Sequence, residues 1–296
     1  VSPAERTALL VGCAGVPQGD GDEHAVPAAL ADVGVGTRWA VWDDPAEDFA
    51  AADLVILRST WDYTERREEF LGWCASVPGL ANRAHVVRWN TDKAYLLDLA
   101  AAGVDVVPTQ LAAPGEKPEW PGRDVVVKPS VGAGSRGAAR FTPSGRDAAA
   151  RHLDALHDDG YTAVVQPYQP AVDSEGETAL VFFGGQYSHA FTKGPMLSGG
   201  DLDESGLFVT EKLGTATPDG PWRALAEDAL DAAAARLGLH RSELLYARVD
   251  LVRTEAGEPA VLEFEVSEPS LGFRQADADA PVRFASAVRA ALTRPR

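Results

Sequence analysis

Arg248-Val-Asp250-Leu-Val and Val261-Leu-Glu263-Phe-Glu265 are two apolar runs that carry charge at every second position. Between them, Glu255-Ala-Gly257-Glu258-Pro259 has the composition of a turn, so the segment reads as a strand–turn–strand hairpin. Side chains alternate faces along a strand, so Arg248 shares a face with Asp250, and Glu263 with Glu265. In the simplest register, three carboxylates and one guanidinium converge on a single patch. Three carboxylates repel one another, and a hard divalent cation offsets that repulsion. Mg²⁺ suits it best, because Mg²⁺ takes few carboxylates together with water and substrate phosphates. A solvated sheet face with an ion pair would have the same pattern, so the motif needs a partner.

That partner lies upstream. Val125-Val-Val-Lys128-Pro129 is a β-branched strand that ends on a lysine and runs into Ser130-Val-Gly132-Ala-Gly134-Ser135-Arg136-Gly137. A second short apolar run, Ala138-Ala-Arg140-Phe141, follows. Backbone N–H groups of such a turn can cradle phosphates, which makes Ser130, Gly132, Gly134, Ser135 and Gly137 candidates for that role. Two better-known fingerprints fail here. A P-loop needs Lys-Ser/Thr after its last glycine, and Ala138-Ala139 stands there instead. A Rossmann turn should open a helix, whereas strand-like residues follow Gly137. A lysine-bearing strand, a glycine loop and a return strand describe a flap over phosphates, closer to the glycine loop of kinases.

The 296 residues suffice for about two domains with sizeable cores, and 45% hydrophobic content indicates a globular chain. No apolar run of about 18 residues, signal peptide or lipidation motif is evident, so a soluble cytoplasmic enzyme away from membranes is expected. Cys13 and Cys74 lack metal or redox spacing and read as buried thiols. A formal charge of −17 argues against nucleic-acid binding, which needs clustered basic residues. A nucleotide remains compatible, since screening over about 8 Å lets a local basic site prevail. Five lysines stand against 22 arginines, so a lysine inside a motif is informative. Lys117 sits in a polar loop and reads as solvated. Lys93, in Asn90-Thr-Asp-Lys93-Ala-Tyr, is expected in the first turn of a helix capped by Asn90 or Thr91 and ended by Gly103. A cation there opposes the helix dipole, and a nearby anion would explain it.

The expected fold is α/β and α+β. Strands at 6–12, 37–42 and 53–57 alternate with helices at 25–33 and 65–76, a small parallel α/β domain over residues 1–87. Ligands bind such sheets beyond the carboxyl ends of the strands, so the loops at 18–24 and 58–63 are candidates, with Arg58 and Asp62 as substrate-binding residues. Residues 88–296 hold the flap, within a lid of about 123–166 that includes a helix at 147–159. A strand then ends in Gln166-Pro-Tyr168, and strands at 178–183 and 187–193 follow. A glycine- and acid-rich stretch at 197–209, expected as a mobile loop, precedes a helix at 222–236, the hairpin and a helix at 280–292.

In this order, the motifs resemble the ATP-grasp ligases, the superfamily of D-alanine:D-alanine ligase and glutathione synthetase. The resemblance covers roughly residues 85–275, with the N-terminal domain similar to that family's leading domain. It implies an ATP-grasp fold with a C-terminal antiparallel catalytic subdomain. It implies that Lys93 and Lys128 hold ATP phosphates, that Gln166 and Tyr168 meet adenine mainly through backbone, and that Asp173 or Glu177 takes the ribose. It also implies that Asp250 and Glu263 hold Mg²⁺, for which Mn²⁺ can substitute, and that Arg248 and Lys193 act on the transferring phosphate. Glu265 departs from the pattern, because the family usually has Asn there; it remains a metal candidate, and the number of ions is left open. Leu57-Arg58-Ser-Thr-Trp61-Asp-Tyr63 and Arg88-Trp-Asn-Thr-Asp-Lys93 further resemble the group containing the cycloserine-forming O-ureido-serine cyclo-ligase of actinomycetes.

The resemblance implies a carboxylate activated as an acyl phosphate and attacked by an amine. The reaction that it implies is ring closure of an O-substituted serine such as O-ureido-serine to cycloserine, with an intermolecular amino-acid or dipeptide ligase as the alternative. Neutralising charge on the transferring group carries such a step, and the flap must exclude water from the acyl phosphate. A kinase and a non-catalytic nucleotide-binding module are the rival readings. Homo-oligomerisation is left open.

Overall fold

The computed structural model describes residues 6–197, 205–207 and 212–294. Strand β1 (Arg6–Gly12), helix α1 (Val26–Asp32), β2 (Val35–Val41), β3 (Leu54–Ser59), α2 (Arg67–Ser76) and β4 (Leu80–Ala81) form the first layer. Its four strands lie in the order β2-β1-β3-β4, and all of their pairings are parallel. Such a sheet is covered on both faces, and β3 is accordingly buried along its whole length.

Two short helices, α3 (Ala84–Asn90) and α4 (Tyr95–Ala101), lead into the lid. There β5 (Gln110–Ala112), β6 (Val125–Pro129), β7 (Ala139–Phe141) and β8 (Ala163–Pro167) make an antiparallel sheet ordered β5-β8-β6-β7. The lid sheet thus includes a strand at 110–112, upstream of the stretch 123–166 expected from sequence. Helix α5 (Arg146–Asp158) covers one face: Val125, Val127, Ala163 and Val165 pack with Leu153 and Leu156. Strand alternation then turns Val126, Lys128 and Gln166 to the opposite face.

After a single-turn helix, α6 (Val172–Glu175), come β9 (Glu177–Phe183), β10 (Gln186–Lys193), β11 (Leu213–Thr215), helix α7 (Gly220–Arg236), β12 (Tyr246–Arg253), β13 (Pro259–Glu265) and α8 (Ala280–Thr293). Most of the stretch 197–209, expected as a mobile loop, falls outside the described residues. The five strands form an antiparallel sheet ordered β11-β10-β9-β12-β13. On one face Leu180, Phe182, Val249, Leu251 and Phe264 pack on α7 and α4. On the other, Ala179, Val181, Phe183, Phe191 and Tyr246 pack against the N-terminal sheet, α1 and α8. The C-terminal helix therefore shares the core of the first layer, and residues 88–296 do not close on themselves.

One local expectation is corrected. Asn90 and Thr91 do not cap the helix after them; Asn90 ends α3, and α4 begins only at Tyr95. The buried Asn90 amide instead donates to Phe264 O at 2.7 Å and accepts from Val266 N and Ser267 N. It ties the end of the hairpin to the connector. Asp92 caps locally, accepting from Ala94 N. Lys93 stands one residue before the N-cap Ala94, outside the first turn of the helix.

Candidate active site

On the face of the antiparallel sheet that meets the N-terminal layer, the near end is charged where the far end is apolar. Arg248 pairs with Glu265 and Asp250 with Glu263 across β12 and β13, which is the register expected from sequence. A bulge follows, since Leu251 pairs with Val261. Ligand oxygens of Asp250, Glu263 and Glu265 lie within 4.8 Å of one another. Next to them, the paired residues Glu177 and Lys193 of β9 and β10 are both buried.

Four cations and four carboxylates interlock here. Lys193 Nζ lies 2.6 Å from Asp250 and 2.8 Å from Glu177. Arg248 donates to both oxygens of Asp250 at 2.9 Å and to Glu265 at 2.5 Å. Lys128 meets Glu263 at 2.7 Å, and Lys93 lies 4.0 Å from the same carboxylate. Burial pushes the carboxyl pKa of Asp250 up, yet Arg248 and Lys193 outweigh it and hold Asp250 ionised. Glu263 is likewise buried, and Lys128, Lys93 and Lys193 bring its pKa well below the usual range. Glu265 goes the other way: burial, with Asp250 and Glu263 beside it, raises it to about 7.

The β6–β7 hairpin crosses over this face with Lys128 pointing inward. Gly134 and Ser135 both have positive φ, 61° and 59°, which turns the loop back. Gly137, at φ 72°, passes so near Pro129 that a Cβ would sit 3.2 Å from its ring. Lys93 binds the flap twice, its N–H donating to Ser130 O at 2.8 Å and its ammonium to Gly132 O at 2.7 Å. Arg136 ties the flap to the first layer, donating to Glu65, to Thr64 Oγ1 and to Trp61 O.

Together these elements enclose a cavity of about 1490 Å³, open solvent included. One end is apolar, walled by Val126, Tyr168, Val172, Leu197, Val252 and Leu262. The middle holds Lys93, Lys128, Glu177, Lys193, Arg248, Glu263 and Glu265, under Gly132, Gly134 and Ser135. Gln166 and Tyr168 belong to the apolar end, and the Gln166 amide donates to Thr109 Oγ1. Ser130 and Gly137 shape the flap from outside the lining. Of the two acids offered for a ribose, Glu177 faces the charged middle, whereas Asp173 is exposed and held by Tyr168 Oη and Arg140.

Arg58 and Asp62 are not brought to this cavity. The Arg58 side chain is 1% exposed and faces Glu23 at 2.9 Å, Leu57 O, Pro269 O and the ring of Tyr246. Asp62 accepts from Trp42 Nε1 and Arg66. Both expected substrate residues are corrected on this ground: the 268–270 turn covers Arg58 at the carboxyl end of β3, and only Trp61 and Tyr63 of the loop that follows reach the cavity. The third region of the cavity wall was expected only in part, as the loop 58–63. It comprises Trp61, Tyr63 and Glu268, with Arg136 closing over them. Trp61 and Tyr63 belong to the segment that carried the finer resemblance, whereas Glu268 stands three residues beyond Glu265, out of step with the two-residue acidic spacing that lands on Ser267. His189 lies outside the cavity lining, bound to Ser188 and to Leu271 O.

Comparison with known proteins places this architecture. The D-alanine–D-alanine ligase of Bacillus anthracis, solved with ATP, superposes at a TM-score of 0.64 over 98% of this chain and 97% of its own, at 16% identity. The fold is that of the ATP-grasp ligases. The crystal structure of D-cycloserine synthetase DcsG superposes at 0.86 over 97% of this chain and all of that one, at 37% identity. Residues 8–87 match the family described as the N-terminal domain of D-cycloserine synthetase DcsG. The cycloserine biosynthesis protein DcsG of Streptomyces lavendulae is 38% identical over 91% of this chain and 93% of its own length. The chain belongs to the DcsG family of ATP-grasp enzymes, and is thus an ATP-dependent carbon–nitrogen ligase.

Proposed function

We propose that the protein closes a ring. It activates the carboxylate of an O-substituted serine such as O-ureido-serine with ATP, and a nitrogen of the same molecule attacks the acyl carbon to give cycloserine, ADP and phosphate. The observation that carries this reading is the 38% identity to the cycloserine biosynthesis protein, which extends over 91% of the chain and thus includes both the charged face and its walls.

The residues take their roles from their positions. Adenine would lie on the apolar end, beside Gln166 and Tyr168, and the phosphates would reach the charged middle under the flap. The donor set there is all oxygen, three carboxylates within 4.8 Å, and it fits a hard divalent ion. Asp250, Glu263 and Glu265 would hold Mg²⁺, which when bound neutralises phosphate charge as a Lewis acid. Lys93, Lys128, Lys193 and Arg248 now rest on carboxylates; phosphate oxygens would take over those hydrogen bonds, so the cations are in place before the nucleotide arrives. The flap, tied down by Arg136, excludes water from the acyl phosphate. When the aminooxy nitrogen of O-ureido-serine attacks, phosphate leaves and a five-membered ring forms. Cycloserine carries no carbamoyl group, so one water must cleave the ring N–carbamoyl bond, the ring nitrogen keeping a proton and the carbamoyl group leaving as carbamate, which breaks down to CO2 and ammonia.

ADP release with one substrate tests the reading. Enzyme, Mg²⁺, ATP and O-ureido-serine of either hand should give ADP and a cyclic product by mass spectrometry. A requirement for a second amine, with a linear product, would overturn ring closure and point to intermolecular ligation.

A further inference from the structure

Beyond the charged middle, the cavity ends in a wall that the nucleotide does not need: Trp61, Tyr63 and Glu268. Glu268 is 7% exposed, and its Oε2 is buried without a hydrogen-bond partner. The Trp61 indole N–H donates to the Glu268 main-chain carbonyl at 3.1 Å, and Tyr63 lines the same wall beside it. The Trp61 ring therefore fixes the Glu268 main chain.

A carboxylate buried without a cation is costly. The neighbouring cations are engaged elsewhere: Lys93 with Gly132 O and Glu263, and Arg248 with Asp250, Glu265 and Ser270 O. Burial, with Glu265 beside it, raises Glu268 to about 8, the expected response of an acid that lacks its counter-charge. The complement must come from outside. An amino acid brings one, since its ammonium group lies one carbon from the carboxylate that meets the phosphate. Glu268 stands three residues along the chain from Glu265, on the side away from the apolar end.

We propose that Glu268 anchors the α-ammonium group of the substrate, with Trp61 and Tyr63 as its walls, and so selects α-amino acids over plain carboxylic acids. The proposal deepens the ligase reading and rests on it. Tyr63 acts through Glu268 as a positioning residue.

The test compares O-ureido-serine with its analogue lacking the α-amino group, by calorimetry with Mg²⁺ and a non-hydrolysable ATP analogue present. Wild type should bind the amino compound at least tenfold more tightly. Glu268→Gln should lose that preference while its affinity for the ATP analogue is unchanged, and Tyr63→Phe should weaken it. Equal binding of the two compounds by wild type overturns the anchor whatever the variants do, as does an undiminished preference in Glu268→Gln. ADP release from the same wild-type samples, given ATP, is read separately. Preferential binding without ADP would refute ring closure and leave the anchor standing; binding of neither compound would refute both.

Discussion

Arg248 and Arg58 each sit on a buried strand beside a carboxylate, yet one is part of a working surface and the other is sealed. Arg248 shares its partners. Asp250 also holds Lys193, and Glu265 borders open space, so its hydrogen bonds can be exchanged for those of an incoming anion. Arg58 meets Glu23, two main-chain carbonyls and the face of Tyr246, with 1% of its side chain exposed. Carbonyls do not move away for a substrate, and among the described residues Arg248 rests on one of them, Ser270 O. A guanidinium at a strand end becomes a ligand site only where its partners are mobile or shared, and the turn at 268–270 decides that here. Desolvating the Arg58–Glu23 pair has a cost that their attraction only partly offsets, so its role is to fix the seam.

The largest effect should come from the shared side. Asp250→Asn and Glu263→Gln each remove a charge that both steadies the resting lysines and would hold the metal, and turnover should fall about 10³-fold or more, several kcal/mol of barrier. ADP release near the wild-type rate in either variant would sink the metal assignment. On the sealed side, Arg58→Ala should leave Glu23 as a buried unpaired acid and cost about 3 kcal/mol of stability. Denaturant midpoints measure this, while KM for the amino-acid substrate stays within about threefold in the folded protein. A tenfold rise in KM at unchanged stability would restore Arg58 as a substrate clamp.

How much of this contrast could be read beforehand depended on the range of the interactions involved. Period-two alternation and a turn fix the hairpin, so the convergence of Arg248, Asp250, Glu263 and Glu265 was legible from a few residues. The same local logic found the flap, because a glycine loop between two short strands has few alternatives. It failed wherever partners are distant in sequence. Asn90 carries a capping residue's signal, but Phe264 and Val266 claim its side chain from 174 and 176 positions away. Arg58 fits the rule for ligand crevices in parallel sheets, but Pro269, 211 residues on, covers its side chain, and the crevice is lined by Trp61 and Tyr63 instead. Glu268 was overlooked because its acid has meaning only beside Tyr63, which the first layer supplies.

Proton linkage sharpens the comparison further, since Glu268 sits between the two sides. Its pKa is raised from the ordinary 4.5 to about 8, so the folded state holds a proton that the unfolded chain would release. Stability contributed by that proton is present in full below about pH 4.5 and is lost progressively up to about pH 8. Glu268→Gln mimics the protonated form at every pH. The variant should therefore gain on wild type by up to about 1.4 kcal/mol per pH unit through pH 5 to 8 and level off above it. Unfolding free energies in urea across this range check it, without ATP or Mg²⁺. A difference that is flat with pH would mean that Glu268 is ionised in the free protein.

The smallest effect separates two lysines that composition alone treats alike. Lys128 lies on the inward face of β6, 2.7 Å from Glu263, whereas Lys117 is exposed in the loop before that strand. Lys128→Ala leaves Glu263 near Lys93 at 4.0 Å, so the acid keeps a counter-charge and the fold should persist. What is lost is one cation for the phosphates, and the ATP KM should rise about tenfold, or about 1.4 kcal/mol. Lys117→Ala should change neither KM nor kcat. Hydrogen exchange adds a readout independent of turnover: with Mg²⁺ and an ATP analogue, residues 130–137 should gain protection in wild type and less in Lys128→Ala. Their N–H groups line the turn between Lys128 and Arg136, where the flap meets both the charged face and the first layer. If exchange there is indifferent to nucleotide, the flap does not cover phosphates, and Lys128 belongs with Arg58 as a structural partner of a buried acid.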